Sequence, residues 1–356
     1  MKTILVLGAG IGGIVTAREL SRHSGNEEDL TLVKILLFEK EETSVYSPSL
    51  PWVMVGISKN EDISERTDKL DASGLEIIKG NIENIDPENI AVRVNGREYK
   101  GDHMVVSLGI EQGQLFDLNR YGHNFFTPEG AWNFHSGLKE LDGGEIAIVV
   151  SSLPFKSPAA PYEAAMLIKD YIRKNSRSDN TRISLYTPEA GPMEFAGPEA
   201  SQELRELLEK KGIRYYPNHR PKAVSENFLE FSNGKTYLYN LLAYTPSHQL
   251  PEVIKNTKLA GDSGWIDVDN KTLETRFRNV YAIGDITNLT TDAGTVLPKI
   301  GVFARQQAAV VAHNIGRKMA GNQPDQIFVP EGRTTYESLV EKRSMEVMAR
   351  SSMASF

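Results

Sequence analysis

Cysteine is absent from all 356 residues of this chain. That absence excludes a disulfide framework, an iron–sulfur cluster on cysteines, and any reaction that runs through a thiolate. Redox work would therefore have to reside in a bound cofactor. Long apolar runs are missing too, since no stretch approaches the roughly 20 residues that span a bilayer. No surplus of positive charge exists either. Lys and Arg number 40 against 47 Asp and Glu, a net charge of -7. The basic residues are scattered, so nucleic acid is not an expected partner. His123, His135, His248 and His313 lack ligand-like spacing, and no metal site is expected. Met1-Lys2-Thr3 runs straight into an apolar strand without a signal-peptide pattern, which predicts a cytoplasmic address.

What is present is the composition of a globular chain, 40% hydrophobic and 24% charged. Its length suits two α/β domains better than one. Residues 3–13 read Thr-Ile-Leu-Val-Leu-Gly-Ala-Gly-Ile-Gly-Gly, and an apolar helix pattern follows without a gap. Gly8 permits a tight turn, Gly10 lets backbone approach a pyrophosphate, and Gly13 lets helix and strand pack closely. The turn residues Ala9, Ile11 and Gly12 belong to the same phosphate-facing backbone. The helix N-terminus adds free N–H groups and a positive dipole end.

A second predicted strand, residues 32–38, ends in Glu39-Lys40. A carboxylate there accepts hydrogen bonds from ribose hydroxyls and repels a 2′-phosphate. The polar insert at 24–29 explains the long gap between Gly13 and Glu39. Near the other end, residues 280–285 form a short apolar strand closing on Gly284-Asp285. A dinucleotide as long as FAD needs both a pyrophosphate turn and a distant segment for its ribityl chain. FAD is the cofactor this pairing predicts.

On these residues the chain resembles the pyridine nucleotide–disulfide oxidoreductase superfamily, most of all its sulfide:quinone oxidoreductase and flavocytochrome c sulfide dehydrogenase branch. Five segments between residue 3 and about residue 315 carry the likeness. They are the glycine turn with Glu39, residues 46–56 from Tyr46 to Gly56, residues 104–109 ending in Gly109, residues 154–165, and Gly284-Asp285 with residues 297–304. The resemblance implies FAD contacts at Gly8, Gly10, Gly13, Glu39, Gly109, Asp285, Lys299 and Ile300. It extends them to Lys40, to Ser47 and Pro48 beside the isoalloxazine segment, to Ile82 and to Gly284. It also implies that the helix opened by Pro298-Lys299 aims its N-terminus at the flavin C2 carbonyl. Lys299 and Glu163 are the candidate catalytic residues. Glu163 either relays protons for quinone reduction or simply stabilises the first turn of its helix.

The likeness breaks at the sulfurs. Ser157 stands where the sulfide branch has a cysteine, Asn124-Phe125-Phe126-Thr127 covers the place of another, and residues 290–297 hold none. A serine hydroxyl forms no persulfide, so oxidation of sulfide by the thiol route is excluded. NADH is the next donor to consider, as in type II NADH:quinone oxidoreductases. It would need a second glycine turn, but the strand over 145–150 runs into Ser151-Ser152-Leu153-Pro154-Phe155-Lys156. The strand over 182–186 ends in Thr187-Pro188, with Glu189 two residues on. A flavin-binding homologue without turnover is the remaining alternative.

The predicted fold class is α/β, with two Rossmann-like three-layer domains, one FAD-binding and one NAD(P)-binding-like, and a short C-terminal tail. The expected boundaries are 1–111 with 246–325 for the first, 112–245 for the second and 326–356 for the tail. Residues 201–213 are predicted helical with Leu204, Leu207 and Leu208 on one face. Expected partners are a small-molecule electron donor and a quinone. Peripheral membrane contact and a homodimer are further expectations from the family.

Overall fold

The computed structural model describes residues 1–23, 33–70, 72–175, 180–290, 294 and 296–330, with the backbone of 332–336 and 345–349. The polar insert at 24–29 and most of the C-terminal tail lie outside the described residues. Within the tail, strands Gly332–Tyr336 and Met345–Ala349 pair antiparallel. No helix among the described residues is long and apolar enough to cross a membrane.

The chain forms two compact units. One comprises Met1–Ser44, Glu65–Glu111 and Gln249–Glu331; the other comprises Val45–Ser64, Gln112–His248 and Gly332–Phe356.

The first unit is built on five parallel strands in the order Val280–Ala282, His103–Val106, Lys2–Leu7, Val33–Glu39, Leu75–Lys79. The side chains alternate, as a strand's period of two demands. Ile4 and Val6 face one way and pack with Ala17 and Leu20 of helix Ile11–His23 and with Ala308, Val311 and Ile315 of helix Gly301–Met319. Leu5 and Leu7 face the other way, against Ile85, Val92 and Val94 of a three-stranded antiparallel sheet. Three layers result, and the inner strands are buried on both faces over Ile4–Leu7, Ile35–Phe38 and Met104–Val106. Burial of each such aliphatic side chain contributes roughly 1.5–3 kcal/mol. The chain leaves strand Lys2–Leu7 toward one neighbour and returns on its other side. Its C-terminal end is therefore a switch point, where open α/β sheets bind ligands.

The second unit repeats the plan. Its parallel order is His123–Asn124, Leu241–Thr245, Gly144–Val150, Thr181–Tyr186, Arg214–Tyr216. Ile146 and Ile148 pack on one face with Phe134 of helix Pro128–Glu140, Ile168 of helix Ala160–Lys174 and Leu204 of helix Pro198–Lys210. That last helix starts three residues before the predicted one because Gly197 and Pro198 open it. Leu204 and Leu208 are buried on it and Leu207 packs beside them. On the opposite face, Ala147 and Val149 meet Leu229 and Phe231 of a second antiparallel sheet. The short helix Leu50–Met54 also joins this unit's core, through Leu50, Val53 and Met54.

Candidate cofactor and redox site

The glycine turn lies at the switch point of the first unit. Gly8 has φ +97°, and a Cβ there would stand 2.8 Å from the carbonyl oxygen of Ser107. A Cβ on Gly13 would stand 1.8 Å from the carbonyl oxygen of Gly8, so helix and turn touch backbone to backbone. On Gly12 it would meet Ile283 at 3.1 Å. Gly10 differs from these three: nothing lies within 4 Å of its Cβ position. Gly8 and Gly13 are therefore required by protein packing, Gly12 meets only the end of a flexible side chain, and Gly10 leaves room for something else. Gly109, with φ +65°, is likewise open.

The Ser107 hydroxyl ties the turn to the neighbouring strand, lying 2.9 Å from the Leu7 carbonyl and 3.0 Å from that of Gly8. Glu39 closes the other side. One carboxylate oxygen accepts from Ala9 N–H at 2.7 Å, and the other accepts from the N–H groups of Lys40 and Glu41 at 2.8 and 2.9 Å. This fixes the carboxylate beside the turn. Lys40 itself points to solvent, with its ammonium 3.9 Å from Glu41. Ile82 begins the antiparallel sheet two residues after Gly80, whose N–H donates to the Glu39 carbonyl.

The late motif folds back onto the same end of the sheet. Gly284 takes φ +78° at the end of strand Val280–Ala282, and its N–H donates 2.6 Å to the Gln307 side chain. A Cβ on Gly301, the first residue of helix Gly301–Met319, would stand 2.6 Å from Ile11 Cδ1. The helix openings at Ile11 and Gly301 are thus neighbours. Neither first turn contains an acidic residue, and Ile300 supplies no side-chain cap. Helix Pro128–Glu140 is the contrast, capped by Thr127, whose hydroxyl accepts from Gly130 N–H at 3.0 Å. Uncapped N-termini with no local acid leave their donors and dipole for an acceptor such as a phosphate or a ring carbonyl.

Lys299 is not a surface lysine. It is 6% exposed, and its ammonium donates 2.5 Å to the Asp285 carbonyl and 3.1 Å to that of Thr287. Burial lowers its pKa to about 8, while the Asp285 carboxylate pulls the other way. Its ammonium also lies 3.5 Å from the ring centroid of Trp265. Trp265 belongs to no recognisable motif, and sequence reasoning passes it over.

Ser47, Pro48 and Glu163 belong to the second unit. Ser47 and Pro48 sit in a single turn of tight helix, Ser47–Ser49. Glu163 lies in the first turn of helix Ala160–Lys174 and accepts from the indole N–H of Trp52 at 3.1 Å. Ser157 adopts φ +51°, a left-handed conformation strained for any residue with a Cβ. The adjacent Lys156 N–H donates 2.8 Å to His248 Nδ1. Glu189, placed by sequence near a ribose-binding position, is 7% exposed and accepts hydrogen bonds from the Tyr162 and Thr187 hydroxyls. Desolvation raises its pKa to about 7.

The first unit fits a flavin dinucleotide. It has a close-packed turn with one open glycine, a fixed carboxylate at the next strand end, two free helix openings and a buried cation. A pyridine nucleotide-disulphide oxidoreductase family model matches residues 2–316. The mitochondrial sulfide:quinone oxidoreductase of Mus musculus is 27% identical over 332 residues, covering 86% of this chain and 71% of that protein. The sulfide-quinone reductase of Aquifex aeolicus is 27% identical over 344 residues, covering 91% and 78%. The X-ray structure of the sulfide:quinone oxidoreductase from Aquifex aeolicus superposes with a TM-score of 0.83 at 23% identity, over 95% of this chain and 81% of the other. That last likeness is one of fold. With a family match that runs from the first strand to the helix after Lys299, the chain belongs to the pyridine nucleotide-disulphide oxidoreductases and is an FAD-dependent oxidoreductase resembling sulfide:quinone oxidoreductase.

Proposed function

We propose that this protein passes electrons from a small-molecule donor through FAD to a quinone, without a thiol intermediate. FAD, when bound, supplies acceptance of two electrons and their transfer onward. The backbone of Gly8–Gly13 holds the pyrophosphate, Glu39 accepts the ribose hydroxyls, and Gly284 with Asp285 receives the ribityl chain. Lys299 and the opening of helix Gly301–Met319 hold positive charge where electrons accumulate. Reducing a quinone to a quinol takes two electrons and two protons, and Glu163 is the residue assigned to carry protons. The buried ammonium of Lys299 beside an uncapped helix opening is the observation that most favours a redox role over mere storage of the cofactor.

The donor follows from what the second unit offers. Ser157 keeps a strained backbone at the sulfide branch's cysteine position but has only a hydroxyl to present. A pyridine nucleotide is disfavoured as well. Nine residues separate strand Gly144–Val150 from helix Ala160–Lys174, with no glycine among them. Glu189 is already engaged by two hydroxyls and held toward its neutral form, which makes it a poor acceptor for a ribose. A peripheral position on the cytoplasmic face of a membrane, and a homodimer, complete this reading.

An anaerobic titration at the flavin absorbance band tests it. Dithionite should bleach the protein, and a short-chain quinone should restore the colour rapidly. NADH and NADPH should leave it oxidised. Bleaching by NADH would make the protein a type II NADH:quinone oxidoreductase instead. A reduced flavin that ignores quinone would remove the proposed acceptor.

A further inference from the structure

A buried ammonium needs something to stabilise it, and the usual partner is a carboxylate. Lys299 has a different arrangement. Two of its N–H groups go to main-chain carbonyls, those of Asp285 and Thr287. Among the described residues no carboxylate is in ion-pair contact with it, although that of Asp285 attracts it from beyond contact, and the indole of Trp265 lies 3.5 Å away, centroid to nitrogen. The difference is electrostatic in kind. A carboxylate cancels the charge it stabilises, so the pair presents only a dipole beyond a few ångströms. Carbonyl dipoles and a ring quadrupole stabilise the cation but leave its full unit charge in place.

The main chain that carries the indole is held in place. The Trp265 backbone N–H donates to the Ser263 hydroxyl at 3.3 Å, the Trp265 carbonyl accepts from Gly261 N–H at 2.8 Å, and Ile266 N–H donates to the Ile286 carbonyl at 3.1 Å. The last bond joins the Trp265 loop to the Gly284–Ile286 turn that supplies one of the lysine's carbonyls. Ring and carbonyls are therefore parts of one hydrogen-bonded assembly in the first unit. The side chain is only partly buried, so core filling does not account for it alone.

We propose that Trp265 is a positioning residue of the flavin site: its ring face takes the contact a counter-carboxylate would otherwise make, helping to keep Lys299 charged without a contact ion pair toward the cofactor. The proposal rests on the reading of Lys299 as a flavin-facing cation. Burial has already brought the amine down to about 8, so a modest loss of stabilisation would deprotonate much of it at neutral pH.

The test is the midpoint potential of bound flavin at neutral pH, measured on the FAD-loaded protein with thermal unfolding in parallel. Tryptophans of increasing fluorination, incorporated at position 265, keep the ring's shape while draining its face of negative potential. The potential should fall stepwise along that series. Trp265→Leu should lower the preference for reduced over oxidised flavin about tenfold, near the scale of a desolvated cation–π contact, or about 30 mV for a two-electron couple. Trp265→Phe should recover part of it. Trp265→Glu should lower the potential as well, because its carboxylate would neutralise the lysine; an unchanged potential there would overturn the reading of Lys299 on which the proposal rests. If Lys299→Met shifts the potential but the fluorinated series is flat, the proposal fails and Trp265 is only packing. If Lys299→Met is also without effect, the proposal falls together with the reading of Lys299. Should the leucine variant not fold, the fluorinated series still decides.

Discussion

The indole nitrogen of Trp52 donates a 3.1 Å hydrogen bond to the Glu163 carboxylate across 111 residues of sequence. The bond fixes which way the carboxylate points. Glu163→Gln should preserve fold and flavin, because an amide oxygen accepts from Trp52 equally well. It should slow reoxidation of the reduced protein by quinone by about a hundredfold, the lower end for loss of a general acid. Trp52→Phe keeps the acid but frees its orientation, and a smaller loss is expected. Stopped-flow reoxidation checks both. An unchanged rate in the glutamine variant would return Glu163 to the role of a helix-stabilising acid.

The glycines of the turn separate protein packing from cofactor contact. Gly10→Ala should fold with wild-type stability, since nothing of the protein lies within 4 Å of the new methyl group, and should bind FAD much more weakly. Gly13→Ala forces a methyl to within 1.8 Å of the Gly8 carbonyl oxygen and should destabilise the first unit itself. Flavin content and chemical denaturation, measured together, distinguish the two. A Gly10→Ala variant that keeps its FAD would mean the pyrophosphate lies elsewhere.

Glu189 links stability to pH. Its folded pKa is about 7 against an ordinary 4.5, so between those values the folded state binds more protons than the unfolded one. The stabilisation from this group is full below about 4.5 and is lost as pH rises through 7, on the order of 3 kcal/mol in all. Glu189→Gln keeps an acceptor for the hydroxyls of Tyr162 and Thr187 and removes the titration. It should unfold at higher denaturant than wild type above pH 7, with the gap closing in acid. Parallel curves at all pH values would show that Glu189 is solvated in solution.

Much of the first unit is legible because its signals are local. The glycine spacing, the alternation of Ile4, Leu5, Val6 and Leu7, and the carboxylate at the end of the second strand all lie within 40 residues. Each follows from backbone geometry alone. The site's polar pairings are another matter. Trp52 with Glu163, Trp265 with Lys299, and Tyr162 with Glu189 are chosen by tertiary packing, and no periodicity marks either partner. Glu189 shows the cost most clearly. In sequence it is an acid just past a strand end, the mark of a ribose site; in the structure a tyrosine from helix Ala160–Lys174 has taken it. Lys299 is readable as a motif residue, but neither the burial that depresses its pKa nor the tryptophan 34 positions earlier that faces its ammonium is marked in the sequence.

Lys299 links stability to pH with the opposite sign from Glu189. Its folded pKa is about 8 and its ordinary value 10.5, so between those values the unfolded chain binds the extra proton. Below about 8 the amine is charged in both states and its desolvation is a constant cost. As pH rises from 8 toward 10.5 the folded amine is neutral while the unfolded one is still charged, and stability climbs by on the order of 3 kcal/mol. Tyrosines with raised pKa values, Tyr281 among them, also stabilise the fold while protonated, and their contribution erodes above about pH 10. The quantity to measure is therefore the difference between wild type and Lys299→Met, by denaturant unfolding at matched FAD across that range. The variant lacks only the lysine's contribution, so the difference should grow in favour of wild type from pH 8 upward and level off near 10.5. A constant difference would mean that the ammonium stays charged throughout, held more strongly by its two carbonyls and the indole than its burial opposes.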